Sequence, residues 1–143
     1  MADAPTTAER HARDQAMMAD LRAHGGRTSA GQVLVILTVV GAKTGKRRDL
    51  PVSVSEDGTD LIVAASAGGQ AAHPQWYRDL LAHPEIDVEY LGESFAATAT
   101  TVENGPERDR LFQQMAEKII GLNSYQDRCR DTRQIPVIRI RRR

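Results

Sequence analysis

Between Gly41 and Arg48 the chain reads G-A-K-T-G-K-R-R: two glycines bracket Ala42, Lys43 and Thr44, and four cations fall within six residues. Glycine lets successive backbone N–H groups converge on one oxyanion, and lysine and arginine add full positive charge. A guanidinium grips phosphate or carboxylate through two parallel bonds, whereas an ammonium acts as a point charge. The chemistry on offer is anion binding; the alternative is a hairpin loop with a solvated basic tip. A nucleotide P-loop is excluded. Its glycines stand one residue further apart, it needs Ser or Thr where Arg47 stands, and Pro51 forbids the helix that must follow.

No other stretch carries chemistry of its own. There is no nucleophile elbow, metal-binding helix or catalytic carboxylate pair, and His11, His24, His73 and His83 lack ligand spacing. The lone Cys129 excludes an internal disulfide and suits a reducing compartment. Chemistry here would come from a bound cofactor, with the protein supplying position and charge. The 143 residues, 41% of them apolar, suffice for one domain, and 19 basic against 19 acidic side chains argue against a surface devoted to nucleic acid. The N-terminus lacks a secretory pattern, so a cytoplasmic protein is expected.

The elements that must position the basic turn follow from patterning. Val33–Val40 is an unbroken apolar run that predicts a strand buried on both faces, at the centre of the core. Leu50, Val52 and Val54 alternate with polar residues and predict a half-buried second strand, so the basic turn joins two strands. Glu56-Asp57-Gly58-Thr59 turns the chain into a third strand, Leu61–Ala65, and the small residues Ser66–Ala72 leave it as a loop that lets a flat ligand approach the backbone. A helix with Pro74 in its first turn runs to Ala82; its Trp76 is either a core plug or a pocket wall. Ile86–Tyr90 and Phe95–Val102 are the fourth and fifth strands, the latter with small inward residues at Ala97 and Ala99.

A helix from Pro106 carries Leu111, Met115 and Ile119 on one stripe, with Phe112, Ala116 and Ile120 beside it, as far as Gly121. Ser124 is placed as the cap of a further short turn, Ile135–Ile140 as a sixth strand, and Arg141–Arg143 as a solvated tail. Residues 1–7 are expected to be disordered. The helix Ala8–Ala23 either covers an open end of the core or touches a membrane surface. The fold class is α+β, mainly antiparallel β: one domain over 8–143, a small barrel or curled sheet of six short strands with covering helices.

Five segments in fixed order, G-G-R, V-L-V-I-L-T-V-V-G-A-K-T-G-K-R-R-D-L-P, A-A-S-A-G-G, H-P-Q-W-Y-R-D-L-L-A-H-P and R-Q-I-P-V-I-R-I, resemble the deazaflavin-dependent nitroreductase family from about Asp20 to Ile140. The resemblance implies a split β-barrel that binds coenzyme F420 and passes hydride from its reduced form to a quinone, nitroaromatic, enone or similar acceptor. It casts Ala42, Lys43, Thr44, Gly45 and Arg48 as holders of the coenzyme's phosphate and acidic tail. Pro51, Val52, Ser53, Ala64, Ala65, Ser66 and Ala67 would line the deazaflavin, with Gln75, Trp76 and Asp79 on the pocket wall. Tyr125 would be the catalytic residue, a hydrogen-bond donor on the acceptor side. Two residues depart from the family pattern: Ala67 replaces a lysine, losing a cation, and Asp79 replaces an asparagine, adding a repulsive carboxylate. The segment from Tyr125 to Ile135 is also longer than usual. The rival readings are a non-catalytic cofactor- or lipid-binding member of the same barrel and a reductase that uses FMN. Expected partners are a small-molecule hydride acceptor and no nucleic acid; peripheral membrane contact, and monomer against homodimer, stay open.

Overall fold

The structure, a computed structural model, describes residues 6–143. Residues 1–5, within the stretch expected to be disordered, lie outside the described residues. Thr6 and Thr7, expected to be disordered, are ordered: the hydroxyl of Thr6 accepts from the Glu9 N–H at 3.1 Å and caps helix α1 (Thr7–Ala23).

Strand β1 (Leu34–Val40) is buried on both faces, as its apolar run predicts. Its Val35, Leu37 and Val39 enter the interior core, while Leu34 and Ile36 face Met18 and Leu21 of α1. Helix α1 therefore covers the outer face of the sheet rather than an open end of the core. Arg22 locks it there through Asp49 at 3.1 Å and Glu89 at 2.7 Å.

β1 pairs antiparallel with β2 (Arg47–Ser53) on one side and β5 (Glu85–Tyr90) on the other. Pairing continues through β6 (Glu93–Thr101), β7 (Val137–Arg142), β4 (Asp60–Ala64) and β3 (Ser55–Asp57), giving the order β2-β1-β5-β6-β7-β4-β3. The two ends of that order, β2 and β3, are consecutive in the chain with only Val54 between them. The sheet thus curls on itself into a barrel. Seven strands stand where six were expected because the expected second strand is broken at Val54 and Glu56 and Asp57, expected in the turn, pair with Leu61 and Asp60 as part of β3.

Closure is incomplete. Ser55 pairs with Ile62 and Asp57 with Asp60; the same register, continued, would set Ser53 against Ala64 and Pro51 against Ser66, but the ladder stops. The Gly41 N–H donates to the Lys46 carbonyl at 2.9 Å, and the alternation of an antiparallel ladder then turns Arg48, Leu50 and Val52 toward β1 and Pro51 and Ser53 away from it. A proline, lacking an N–H, fits such an outward position. The Ala65 N–H donates to the Pro136 carbonyl at 3.0 Å, so by the same alternation the N–H and C=O of Ala64 point away from β7. The seam of the barrel is edged by backbone groups of Pro51, Ser53 and Ala64.

On the outer face of β4 and β7, Ile62, Ala64 and Val137 pack against Leu111, Phe112 and Met115 of α3 (Pro106–Ala116) and Leu122 and Cys129 of α4 (Leu122–Cys129). Each such buried aliphatic or aromatic side chain contributes about 1.5–3 kcal/mol. Helix α3 ends at Ala116, before the expected Gly121. The N–H groups of both Lys118 and Ile119 fold back on the Met115 carbonyl, the helical period is lost, and Ile120 points to solvent, 94% exposed. Gly121, at φ 86°, precedes α4; Ser124 lies inside that helix and does not cap it.

Candidate functional site

The basic turn is a tight hairpin. Besides the Gly41–Lys46 bond, the Gly45 N–H donates to the Gly41 carbonyl at 2.9 Å and the Lys46 N–H to Thr44 Oγ1 at 3.2 Å. The N–H groups of Lys43 and Thr44, at the tip, have no partner among the described residues. Lys43, Lys46 and Arg48 are exposed and form no ion pair with a described carboxylate, whereas neighbouring Arg47 pairs with Asp87. Arg48 stands opposite Val39 and so shares the face of the barrel interior, at its mouth.

Zero net charge conceals this local excess, because many other cations are paired with carboxylates elsewhere. Arg139 reaches Asp60 at 2.9 Å, Asp57 at 3.0 Å and Glu107 at 2.5 Å. Arg141, Arg142 and Arg143, expected as a solvated tail, pair with Asp60, Glu93 and Glu85. They are held because Thr98 and Ala97 of β6 extend the ladder to Arg141 and Arg142.

Helix α2 (Gln75–Ala82) lies beside the turn. Asp79, only 4% exposed, accepts through Oδ1 from the Ala42 N–H at 2.9 Å and from Gln75 Nε2 at 3.0 Å. The carboxylate expected to oppose an anion is also the anchor that fixes the turn to α2. Trp76 is half-buried against the interior core, and the hydroxyls of Tyr77 and Thr101 share a hydrogen bond of 2.8 Å.

The third component is the loop after β4. Ala67–Gly69 forms a single 3₁₀ turn packed on α4, where Tyr125 is half-buried. Gly69, at φ 79°, is required: a Cβ there would stand 2.8 Å from the Tyr125 carbonyl oxygen and 2.9 Å from its Cα. Gly69→Ala is expected to lower unfolding free energy by on the order of 1–3 kcal/mol, read by denaturant titration. Tyr125 makes no side-chain hydrogen bond with a described residue, and the Arg128 guanidinium lies 5.8 Å from its ring centroid.

Two arginines to which the sequence assigns no role hold this loop. Arg128 Nη1 donates to the Gly68 carbonyl at 2.9 Å, and Arg133 donates to the carbonyls of Ala65, Ser66 and Gln70. Burial, then the charges of Arg133 and Arg78, push the His73 imidazole below its ordinary range. The only sequence signal for Arg133 is its place just before Ile135-Pro136.

The expected residues thus fall into three groups: Ala42–Arg48 with Gln75, Trp76 and Asp79 at the turn; Pro51–Ser53 and Ala64–Ser66 at the seam; Ala67 and Tyr125 at the loop. Arg48 and Ser53 are joined by one strand, roughly 17 Å apart at about 3.3 Å per residue. A cleft of about 630 Å³ reaches Ser53, with Arg27, Tyr90 and Gln114 among its walls. Another of about 520 Å³, on the outer face of β6 and β7, shares no residue with these groups. Among the described residues no cluster of His, Cys, Asp or Glu could hold a metal ion, and no helix is long and apolar enough to cross a membrane.

A curled antiparallel barrel, open along one seam and with a cation-rich turn at its mouth, defines a split-barrel protein. The model of the F420H2-dependent quinone reductase family matches residues 10–141, and the chain belongs to that family as an F420-dependent reductase. F420H2-dependent quinone reductase Rv1261c of Mycobacterium tuberculosis is 31% identical over 121 residues, 83% of this chain and 80% of the relative. Among solved structures, F420-H2 dependent reductase FDR-A is 31% identical with a TM-score of 0.67, covering 75% of this chain and 92% of its own. A structure described as a domain-swapped dimer has the same identity and TM-score and covers 75% and 78%. The Vibrio cholerae heme storage protein HutZ, 13% identical with a TM-score of 0.58 and covering 88% and 87%, shares the fold alone.

Proposed function

We propose that the basic turn binds the phosphate end of F420, that the seam receives its deazaflavin ring, and that a quinone-type acceptor is reduced on the Tyr125 side. The observation that carries this reading is the turn itself: Lys43, Lys46 and Arg48 without a carboxylate partner, and two amides without an acceptor, among the described residues, at the start of the strand whose far half edges the open seam. That donor set fits a phosphate, which takes both amide hydrogen bonds and charge. Bound F420, in its reduced form, supplies a hydride.

The chain's own residues supply position and polarity. Lys43 and Arg48 attract and orient the anionic end, and Asp79 keeps their turn in place. Backbone groups of Pro51, Ser53 and Ala64 offer hydrogen bonds along the seam, and Trp76 walls the mouth against water. The Tyr125 hydroxyl, which has no hydrogen-bond partner among the described residues, donates to the acceptor oxygen as negative charge develops there. The names carried by the family and its mycobacterial relatives favour a quinone over the nitroaromatic and enone alternatives. The relative solved as a domain-swapped dimer favours a homodimer.

The test is oxidation of reduced F420 followed by absorbance with a quinone, a nitroaromatic and an enone. The quinone is expected to react fastest; a preference for either of the others would overturn the acceptor assignment.

A further inference from the structure

Arg133 lies between α4 and β7, half-buried, and spends its guanidinium on one loop. Nε donates to the Gln70 carbonyl at 2.9 Å, Nη1 to Ala65 at 2.9 Å and Nη2 to Ser66 at 2.7 Å. Nη1 also stands 3.1 Å from His73 Nδ1, and since a guanidinium only donates, that nitrogen accepts. No described carboxylate pairs with Arg133.

The C=O and N–H of a trans peptide point in opposite directions, so capture of the Ala65 and Ser66 carbonyls turns the Ser66 and Ala67 amides away from Arg133, while the Ala67 carbonyl, in the peptide that carries the Gly68 N–H, accepts from the Gln70 N–H. Ser66 is right-handed (φ −76°, ψ −36°) and Ala67 left-handed (φ 46°), the succession in which neighbouring N–H groups converge into an anion-binding nest. The N–H groups of Ser66, Ala67 and Gly68 have no partner among the described residues. Left-handed backbone is unfavourable at alanine by about 1–2 kcal/mol, so this conformation needs outside support, and the loop's carbonyls are held by Arg133 and, at Gly68, by Arg128.

We infer that Arg133 is a positioning residue for the coenzyme: it holds the Ser66–Gly68 nest at the edge of the seam, where three backbone donors supply the positive potential that Ala67 has no side chain to give. The inference rests on the F420 site proposed above.

The test compares the full-length wild type with Arg133→Ala, Arg133→Lys and Arg108→Ala. Arg108 is a suitable control because it is buried more deeply than Arg133 and also donates to a backbone carbonyl, that of Ile135 at 2.6 Å, but from the α3 side and away from the Ser66–Gln70 loop. Two readouts are taken: amide hydrogen exchange of residues 66–70 without coenzyme, and the dissociation constant for F420. Arg133→Ala should speed exchange in that segment and raise the dissociation constant about tenfold, the scale of a lost charged hydrogen bond, with partial rescue by low millimolar guanidinium. Arg133→Lys, unable to span three carbonyls, should fall between, and it carries the test if the alanine variant does not fold. Arg108→Ala should lower the melting temperature and leave both readouts unchanged. The role of Arg133 is overturned if its variants bind F420 like wild type, if exchange at 66–70 does not change, or if Arg108→Ala weakens binding as much. A wild type that fails to bind F420 overturns the site reading itself, and this role with it.

Discussion

Asp79→Ala is expected to weaken F420 binding by about tenfold to a hundredfold, whereas Asp79→Asn is expected to tighten it. The buried Oδ1 of Asp79 holds the Ala42 N–H and the Gln75 amide, so it sets where the turn stands. Alanine removes the acceptor and leaves the Ala42 N–H without its partner, a loss on the order of 1–3 kcal/mol. Asparagine keeps an acceptor oxygen in the same place and removes the negative charge that opposes an incoming phosphate. A dissociation constant for each variant separates the two roles. If both substitutions weaken binding alike, the charge of Asp79 does not oppose the coenzyme; if both tighten it, the anchor has no part in binding.

Tyr125→Phe is expected to slow turnover by tens to hundreds of fold while leaving F420 affinity close to wild type. Phenylalanine keeps the ring that packs against the cluster of Leu111, Leu122 and Val137 beside Gly121, and keeps the contact with Arg128, so the fold is not the variable. What disappears is one hydroxyl with no described partner in the protein. A donor that acts only as charge develops on the acceptor is worth about 1–3 kcal/mol and appears in the rate, not in coenzyme binding. Single-turnover oxidation of reduced F420 by a quinone reads it directly. An unchanged rate with every acceptor would leave Tyr125 a packing role.

What could be read from the sequence was whatever depends on neighbours in the chain. The apolar run Val33–Val40, the Asp57-Gly58 hairpin and the glycine-bracketed cations each declare themselves locally, and each stands where expected. The seam does not declare itself. It arises because a register set by Ser55 and Ile62 fails to continue past Val54, and a single strand pattern cannot show which partner it will lose. The same holds for α1, whose weak apolar face gave a cover but not which surface it covers. Asp79 looked like a misplaced charge because its partner, the Ala42 amide, lies 37 residues away. Arg133 opens the R-Q-I-P segment, but that place gave it no role, since the carbonyls it holds are 63 to 68 residues distant and backbone atoms have no sequence signature.

The proposal that the Gly41–Arg48 turn holds the coenzyme is checked by titrating F420 into wild type, Lys43→Ala and Arg48→Ala at two salt concentrations. An exposed cationic site is screened over a Debye length of about 8 Å at physiological ionic strength, so wild-type affinity should fall as salt rises. Both substitutions should weaken binding and flatten that salt dependence. Arg48→Ala should cost more than Lys43→Ala, because a guanidinium can hold phosphate with two parallel bonds. Variants that bind F420 like wild type at both salt concentrations would make the turn a solvated hairpin tip and contradict the account.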